Sequence, residues 1–172
     1  MELEKAKKIA EELVGMLMPG CERIAIAGSI RRRRPEVGDI ELLCIPLFDG
    51  MVDQLDRELG GLMLQQILGH RKNKRGSITY GPQNKLLFHK PSGIGVDIFS
   101  TTVACWPVAL VVRTGGKSTN QEISTRAIER GMRFHAYGPG FTRADNTELV
   151  CSSEEGVFRA VGLRYLEPWE RK

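Results

Sequence analysis

This chain of 172 residues is defined first by what it lacks. No uninterrupted apolar run approaches the ~20 residues that span a bilayer, which excludes an integral helical membrane protein. The four cysteines, Cys21, Cys44, Cys105 and Cys151, form no C-x-x-C pair. They read as reduced thiols of a cytosolic protein, and a zinc site is set aside. His70, His89 and His135 have no metal-ligand spacing and read as structural. The N-terminus, Met1-Glu2-Leu3-Glu4-Lys5, alternates charged and apolar residues, so it reads as neither a signal peptide nor a transit peptide. There is no internal repeat and no low-complexity linker. With 41% hydrophobic and 27% charged positions, the balance is globular and excludes a disordered chain, a coiled-coil rod or a collagen-like fibre.

One absence is local. From Ile67 to Val96 there is no Asp or Glu, while Arg71, Lys72, Lys74, Arg75, Lys85 and Lys90 all fall inside that stretch. A second basic segment, Arg31-Arg32-Arg33-Arg34, is an unbroken run. With a net charge of +4 and a pI near 9.0, the distribution favours a polyanionic partner. Phosphate contacts by the 71–75 cluster and Lys85 are the expected form of that binding.

Apolar periodicity organises the rest. Leu3, Ala6, Ile9, Ala10, Leu13 and Leu17 recur at helical spacing, and Pro19-Gly20 ends that helix. Arg23–Ala27 alternates as a strand, Ile40–Ile45 reads as a buried strand, and Met51–Met63 reads as a helix loosened by Gly60-Gly61. Four short strands are expected around 67–70, 77–80, 85–90 and 96–100, separated by Gly, Pro and Asn. This first stretch is α+β, a sheet with helices on one face. Near residues 101–106 the character changes. Pro107–Val112 reads as a buried helix with an early proline, and Ser118-x-x-Gln121 as a capping box opening a helix to Arg130. Arg133–Tyr137 and Phe141–Val150 suggest a small sheet, and Ser152-x-x-Glu155 caps a last helix. Trp106, Phe158 and Trp169 are expected in the core.

The chemistry concentrates in Gly28-Ser29-Ile30-Arg31-Arg32 and Gly38-Asp39-Ile40-Glu41. A strand ending at Ala27 feeds a Gly-Ser turn whose backbone N–H groups and hydroxyl can hold a phosphate, with Arg32 adding charge. Asp39 and Glu41 stand two apart on a strand, so both carboxylates point to one face while Ile40 and Leu42 point to the core. Such oxygen pairs suit Mg²⁺ together with substrate phosphates. A third acid, Asp97 in Gly95-Val96-Asp97-Ile98-Phe99, completes the set that a two-metal phosphoryl transfer requires. Thr114-Gly115-Gly116, between two helices, lets a substrate approach the backbone closely.

These residues, Gly28-Ser29-Ile30-Arg31-Arg32, Gly38-Asp39-Ile40-Glu41, Val96-Asp97-Ile98 and Thr114-Gly115, resemble DNA polymerase family X, whose type member is DNA polymerase beta. The resemblance runs over nearly the whole chain, as far as Tyr165-Leu166-Glu167-Pro168. It implies an α+β nucleotidyltransferase palm with a mixed sheet over residues 1–103. Residues 104–172 would then form a small α+β C-terminal subdomain that closes over the nascent base pair. It further implies that Asp39 and Glu41 ligate two Mg²⁺ ions, for which Mn²⁺ can substitute, and that Asp97 ligates the catalytic one. Ser29, Arg32 and Gly38, beside Gly28, would contact the triphosphate. Thr114 and Gly115 would flank the sugar, and Asn120 would face the minor-groove edge of the incoming nucleotide.

The chain also departs from the family pattern. Glu41 replaces the usual Asp, Val112-Arg113 replaces an aromatic pair, and Ser124 stands where an arginine contacts the templating base. Only 27 residues precede Gly28, so no lyase or helix-hairpin-helix subdomain is expected, as in the reduced members found in viruses. The expected activity is a monomeric DNA-directed DNA polymerase that adds dNMP, with NMP as a further substrate unit, to a primer 3′-hydroxyl, filling short gaps in repair. The expected partners are gapped or primer–template DNA and dNTP, with no membrane. The alternative is a template-independent nucleotidyltransferase acting on RNA, protein or a small molecule. A non-catalytic nucleic-acid-binding module would need none of Asp39, Glu41 and Asp97.

Overall fold

A computed structural model describes residues 1–73 and 75–172, in two compact units, Met1–Ser100 and Thr101–Lys172. The first opens with α1 (Leu3–Leu17), whose buried Ala6, Ile9, Ala10, Leu13 and Leu17 form the expected stripe. It ends in a tight turn, Met18–Gly20. After it come β1 (Cys21–Ile26), the single-turn α2 (Gly28–Arg31) and β2 (Asp39–Pro46). A two-stranded hairpin, β3 (Phe48–Asp49) and β4 (Val52–Asp53), leads into α3 (Gln54–Leu64). The strands β5 (Leu68–His70), β6 (Asn84–His89) and β7 (Gly95–Ser100) close the unit.

The sheet order is β1-β2-β7-β6-β5, with β2 and β7 parallel and the other neighbours antiparallel. Ile40, Leu42 and Cys44 of β2, Val96 and Ile98 of β7 and Leu87 of β6 join the buried faces of α1 and α3 in one core. The sheet is therefore covered by helices on one face, as read from its alternation.

Two local expectations need correction. Met51–Asp53 is hairpin, not helix, because Asp53 caps α3 by accepting from the Asp56 N–H at 3.2 Å. Past Gly60 and Gly61 that helix runs to Leu64, one residue beyond the expected Met63. Residues 77–80 form no strand; they contribute only the isolated bridges Lys72–Ile78 and Tyr80–Lys85.

The second unit contains α4 (Trp106–Thr114), α5 (Lys117–Glu129), the small sheet β8 (Arg133–Phe134), β9 (Gly140–Thr142) and β10 (Glu148–Val150), and α6 (Glu154–Ala160). Its core is Val108, Val111, Ile123, Ala127, Phe141, Val157, Phe158 and Val161. The Ser118 capping box does not form. Gly116 is the N-cap and its carbonyl already accepts from Asn120 at 3.0 Å, which places Ser118 inside the first turn. The main chain of Lys172 takes up the helix opening instead: Thr119 N–H donates to its oxygen at 2.9 Å, and its N–H donates to Thr119 Oγ1 at 3.1 Å. At α6 the cap is Ser153, one residue beyond the expected Ser152, accepting from Gly156 N–H at 3.0 Å. Trp106 and Phe158 are buried as expected, but Trp169 is 47% exposed and is not core.

Candidate active site

The carboxylates owe their arrangement to the parallel pairing of β2 with β7. Register places Asp39 opposite Gly95 and Glu41 opposite Asp97, between the apolar pairs Ile40–Val96 and Leu42–Ile98. Strand parity then sends the apolar pairs to the helix-covered core and all three carboxylates to the other face. Like charges directly opposite on neighbouring strands repel, so such a row is stable only with cations close by.

The Gly-Ser turn lies against this row. Ala27 N–H donates to the Glu41 carbonyl at 2.8 Å, tying the turn to β2. Gly28 has φ +59°, and a Cβ there would stand 1.7 Å from Glu41 Oε2. Both facts require glycine, so the residue and the Glu41 carboxylate fit each other. Ile30 anchors the turn in the core, while the Ser29 hydroxyl oxygen is enclosed and has no hydrogen-bond partner among the described residues. An enclosed polar oxygen without a protein partner is costly in a folded protein. Arg32 is half-buried at the end of this turn, and Gly38, just before Asp39, is exposed with open space above its Cα.

The basic stretch divides in a way its composition did not reveal. Lys85 is 1% exposed and faces the helices: its Nζ lies 3.2 Å from Asp56 Oδ1 and donates to the Gly81 carbonyl at 3.2 Å. It cannot contact a phosphate, which corrects the expectation for that residue. Arg71 is likewise not a surface cation; its Nη2 donates to Asp97 Oδ1 in an ion pair. Lys90 is exposed and bonded to Gln66 Oε1, while Lys72 and Arg75 are exposed. Lys74 lies outside the described residues. The sequence reading missed Arg71 as a member of the site. The available signal was the glycine at 95, two residues before Asp97 on the same face.

In the second unit Thr114 is fully buried at the end of α4, and Gly115 follows with φ +74°. The Asn120 amide donates to the Val112 carbonyl at 2.9 Å, and its Oδ1 is enclosed with no partner among the described residues. Ser124 Oγ donates to the Asn120 carbonyl at 3.0 Å. Arg113 donates to the Tyr137 hydroxyl at 3.3 Å and lies 5.4 Å from the centre of that ring, so its side chain is held against Tyr137. The expected sugar and base contacts thus form one set held by the unit's own bonds.

A mixed β-sheet whose parallel pair carries acidic residues beside a Gly-Ser turn, followed by a small helical unit, defines a nucleotidyltransferase fold. Residues 109–172 match the family model for the DNA polymerase beta thumb. A DNA nucleotidylexotransferase from Xenopus laevis is 32% identical over 79 residues, 45% of this chain and 15% of that protein. The DNA-directed DNA/RNA polymerase mu of Homo sapiens is 24% identical over 201 residues, 99% of this chain and 40% of that protein. In the crystal structure of Leishmania infantum polymerase beta, a ternary P/T complex, the same fold recurs with a TM-score of 0.74. That match has 19% identity and covers 100% of this chain and 76% of that one. The comparisons thus point the same way as the motifs, toward similarity to DNA polymerase family X, and the two curated proteins it matches are named as enzymes. It spans less than half the length of either curated relative.

Proposed function

We propose that the chain is a nucleotidyltransferase that joins a nucleoside monophosphate to the 3′-hydroxyl of a nucleic acid, filling short gaps in duplex DNA. The observation that carries this is the in-register placement of Glu41 against Asp97, with Asp39 on the same face and the Gly28-Ser29 turn against Glu41. The donor set consists of carboxylate oxygens alone, which is the chemistry Mg²⁺ prefers. Among the described residues no three ligating side chains stand close enough together to hold an ion, and the Arg71 guanidinium stands among them. The fit is therefore one of donor type and position on the face.

Asp39 and Glu41 would hold two Mg²⁺ ions and Asp97 the catalytic one, with Mn²⁺ an acceptable substitute. When bound, the ions would neutralise triphosphate charge and lower the pKa of the attacking hydroxyl. Ser29, Arg32 and the backbone at Gly38 would hold the triphosphate; the Ser29 hydroxyl, enclosed and without a protein partner, is suited to a phosphate oxygen. Asp97 would favour departure of the 3′-hydroxyl proton, and pyrophosphate would leave. Thr114 and Gly115 would flank the sugar, with Asn120 toward the base edge.

The test is extension of a one-nucleotide-gapped duplex with Mg²⁺ and each dNTP. Addition of only the matched nucleotide supports the polymerase reading. Addition irrespective of template supports the second reading, template-independent transfer. Ser124 favours that reading, because it offers a short hydroxyl where the family resemblance calls for an arginine on the templating base, and so does the activity named for the Xenopus relative. No addition to any nucleic acid overturns the polymerase reading and restricts template-independent transfer to a protein or small-molecule acceptor.

A further inference from the structure

Arg71 follows β5 directly, and its N–H donates to the Leu86 carbonyl at 3.0 Å. The β5–β6 pairing sets His70 opposite Leu87, so one step further Arg71 falls opposite Leu86. Leu86 is opposite Asp97, and Asp97 is opposite Glu41. Arg71, Leu86, Asp97 and Glu41 therefore form one row across four strands, on the face away from the helices. The arginine reaches over Leu86 to Asp97, where the side chains are 34% and 13% exposed.

Gly95 makes this reach possible. A Cβ at that position would stand 2.4 Å from Arg71 Nη1, 3.0 Å from its Cζ and 3.3 Å from Asp39 Cβ. The guanidinium thus occupies the space a side chain at 95 would fill, between Asp39 and Asp97. The φ of Gly95 is not in the left-handed region, so the lack of a side chain, not backbone freedom, is what the position uses.

We propose that Arg71 is a positioning residue that serves as a built-in counter-cation for the carboxylate row. It holds Asp97 while no divalent ion is bound and competes with the ion for that carboxylate. Gly95 is the seat that admits it. This inference rests on the metal-binding reading of Asp39, Glu41 and Asp97 above. A guanidinium bonded to Asp97 and close to Asp39 neutralises part of the row's mutual repulsion, and an arriving cation meets both its positive charge and an occupied ligand oxygen. The consequence is lower affinity for the free ion than the bare carboxylates would have.

The experiment is titration of the chain with Mn²⁺ alone, without nucleotide, with free ion read by electron paramagnetic resonance and fold checked by circular dichroism. Arg71→Ala is expected to bind Mn²⁺ on the order of tenfold more tightly than wild type. Arg71→Lys, which keeps a charge, should lie closer to wild type. Gly95→Ala should bind more tightly although Arg71 is still present, because its Cβ displaces the guanidinium. Simple structural damage would weaken binding, the opposite sign. Unchanged or weaker binding in folded Arg71→Ala overturns the inference, provided the double variant Asp39→Asn/Asp97→Asn has lost the ion. If that double variant binds Mn²⁺ as wild type does, the metal site itself is misplaced and both readings fall.

Discussion

The two faces of the central sheet each carry an ion pair built from the same acid-free segment, and the two pairs do opposite work. On the helix face, Lys85 is sealed against α3, where Asp56 accepts from it and from the Tyr80 hydroxyl at 3.2 Å. Burial, with Asp56 close by, pushes the Tyr80 hydroxyl well above its ordinary pKa, so it stays a donor. The Lys85 ammonium also donates to the Gly81 carbonyl at 3.2 Å, so this cation is held by protein groups. On the other face, Arg71 pairs with Asp97 in a row that also carries Asp39 and Glu41, and the Ser29 hydroxyl has no hydrogen-bond partner among the described residues. Residues of one composition thus end in a sealed ion pair on one face and beside the proposed reaction site on the other.

That contrast can be broken most forcefully at Asp56. Asp56→Ala leaves a buried ammonium and a tyrosine hydroxyl without their acceptor, and is expected to cost about 3 kcal/mol in urea-denaturation stability. Lys85→Met should cost no more than about 1 kcal/mol, since Asp56 is partly exposed and can be hydrated. On the carboxylate face the sign of the trade changes. Asp97→Asn should lower nucleotide transfer by roughly 10² or more, while Asp39 and Glu41 retain Mg²⁺–nucleotide binding; single-turnover extension and nucleotide titration together check it.

The remaining basic residues sharpen the comparison by what they add to DNA binding. Lys72→Glu with Arg75→Glu should reduce the log–log salt slope of gapped-DNA affinity by about two, as two phosphate contacts are lost. Lys85→Met should leave that slope unchanged. At the sugar, Arg113→Phe should raise the preference for dCTP over CTP opposite template G by roughly five- to tenfold, the value of about 1 kcal/mol of lost hydrogen bonding.

The smallest effect is on pH. Burial lowers the His89 pKa below its ordinary 6.5, opposed by Glu12. The unfolded chain therefore takes up a proton first as pH falls through 6.5, and stability declines there, levelling off below the folded-state value. His89→Gln should flatten that slope in denaturation series between pH 7 and pH 5.

Much of this was legible from alternation alone. The D-x-E spacing and the apolar neighbours of Asp97 assign every carboxylate to one face, because parity along a strand is local information. The helix α1 follows from apolar periodicity in the same way. Arg71 was not legible, because its face depends on the pairing of β5 with β6, which no local pattern states. Grouping it with Lys72 and Arg75 by charge hid the fact that they part company in the fold. The failed Ser118 cap has a similar cause: the opening of α5 is satisfied by Lys172, 53 residues away from Thr119 in the chain. Trp169 was read as core, yet it is 47% exposed while Pro168 and Arg171 beside it are buried.

The most direct test sets the two aspartates side by side, measuring unfolding stability and single-turnover gap filling in Asp56→Ala and Asp97→Asn. Stability should fall in the first with transfer per folded molecule retained. In the second, transfer should fall by roughly 10² or more with stability changed by less than about 1 kcal/mol. Near-wild-type transfer by folded Asp97→Asn would contradict the assignment of the carboxylate face as the reaction site.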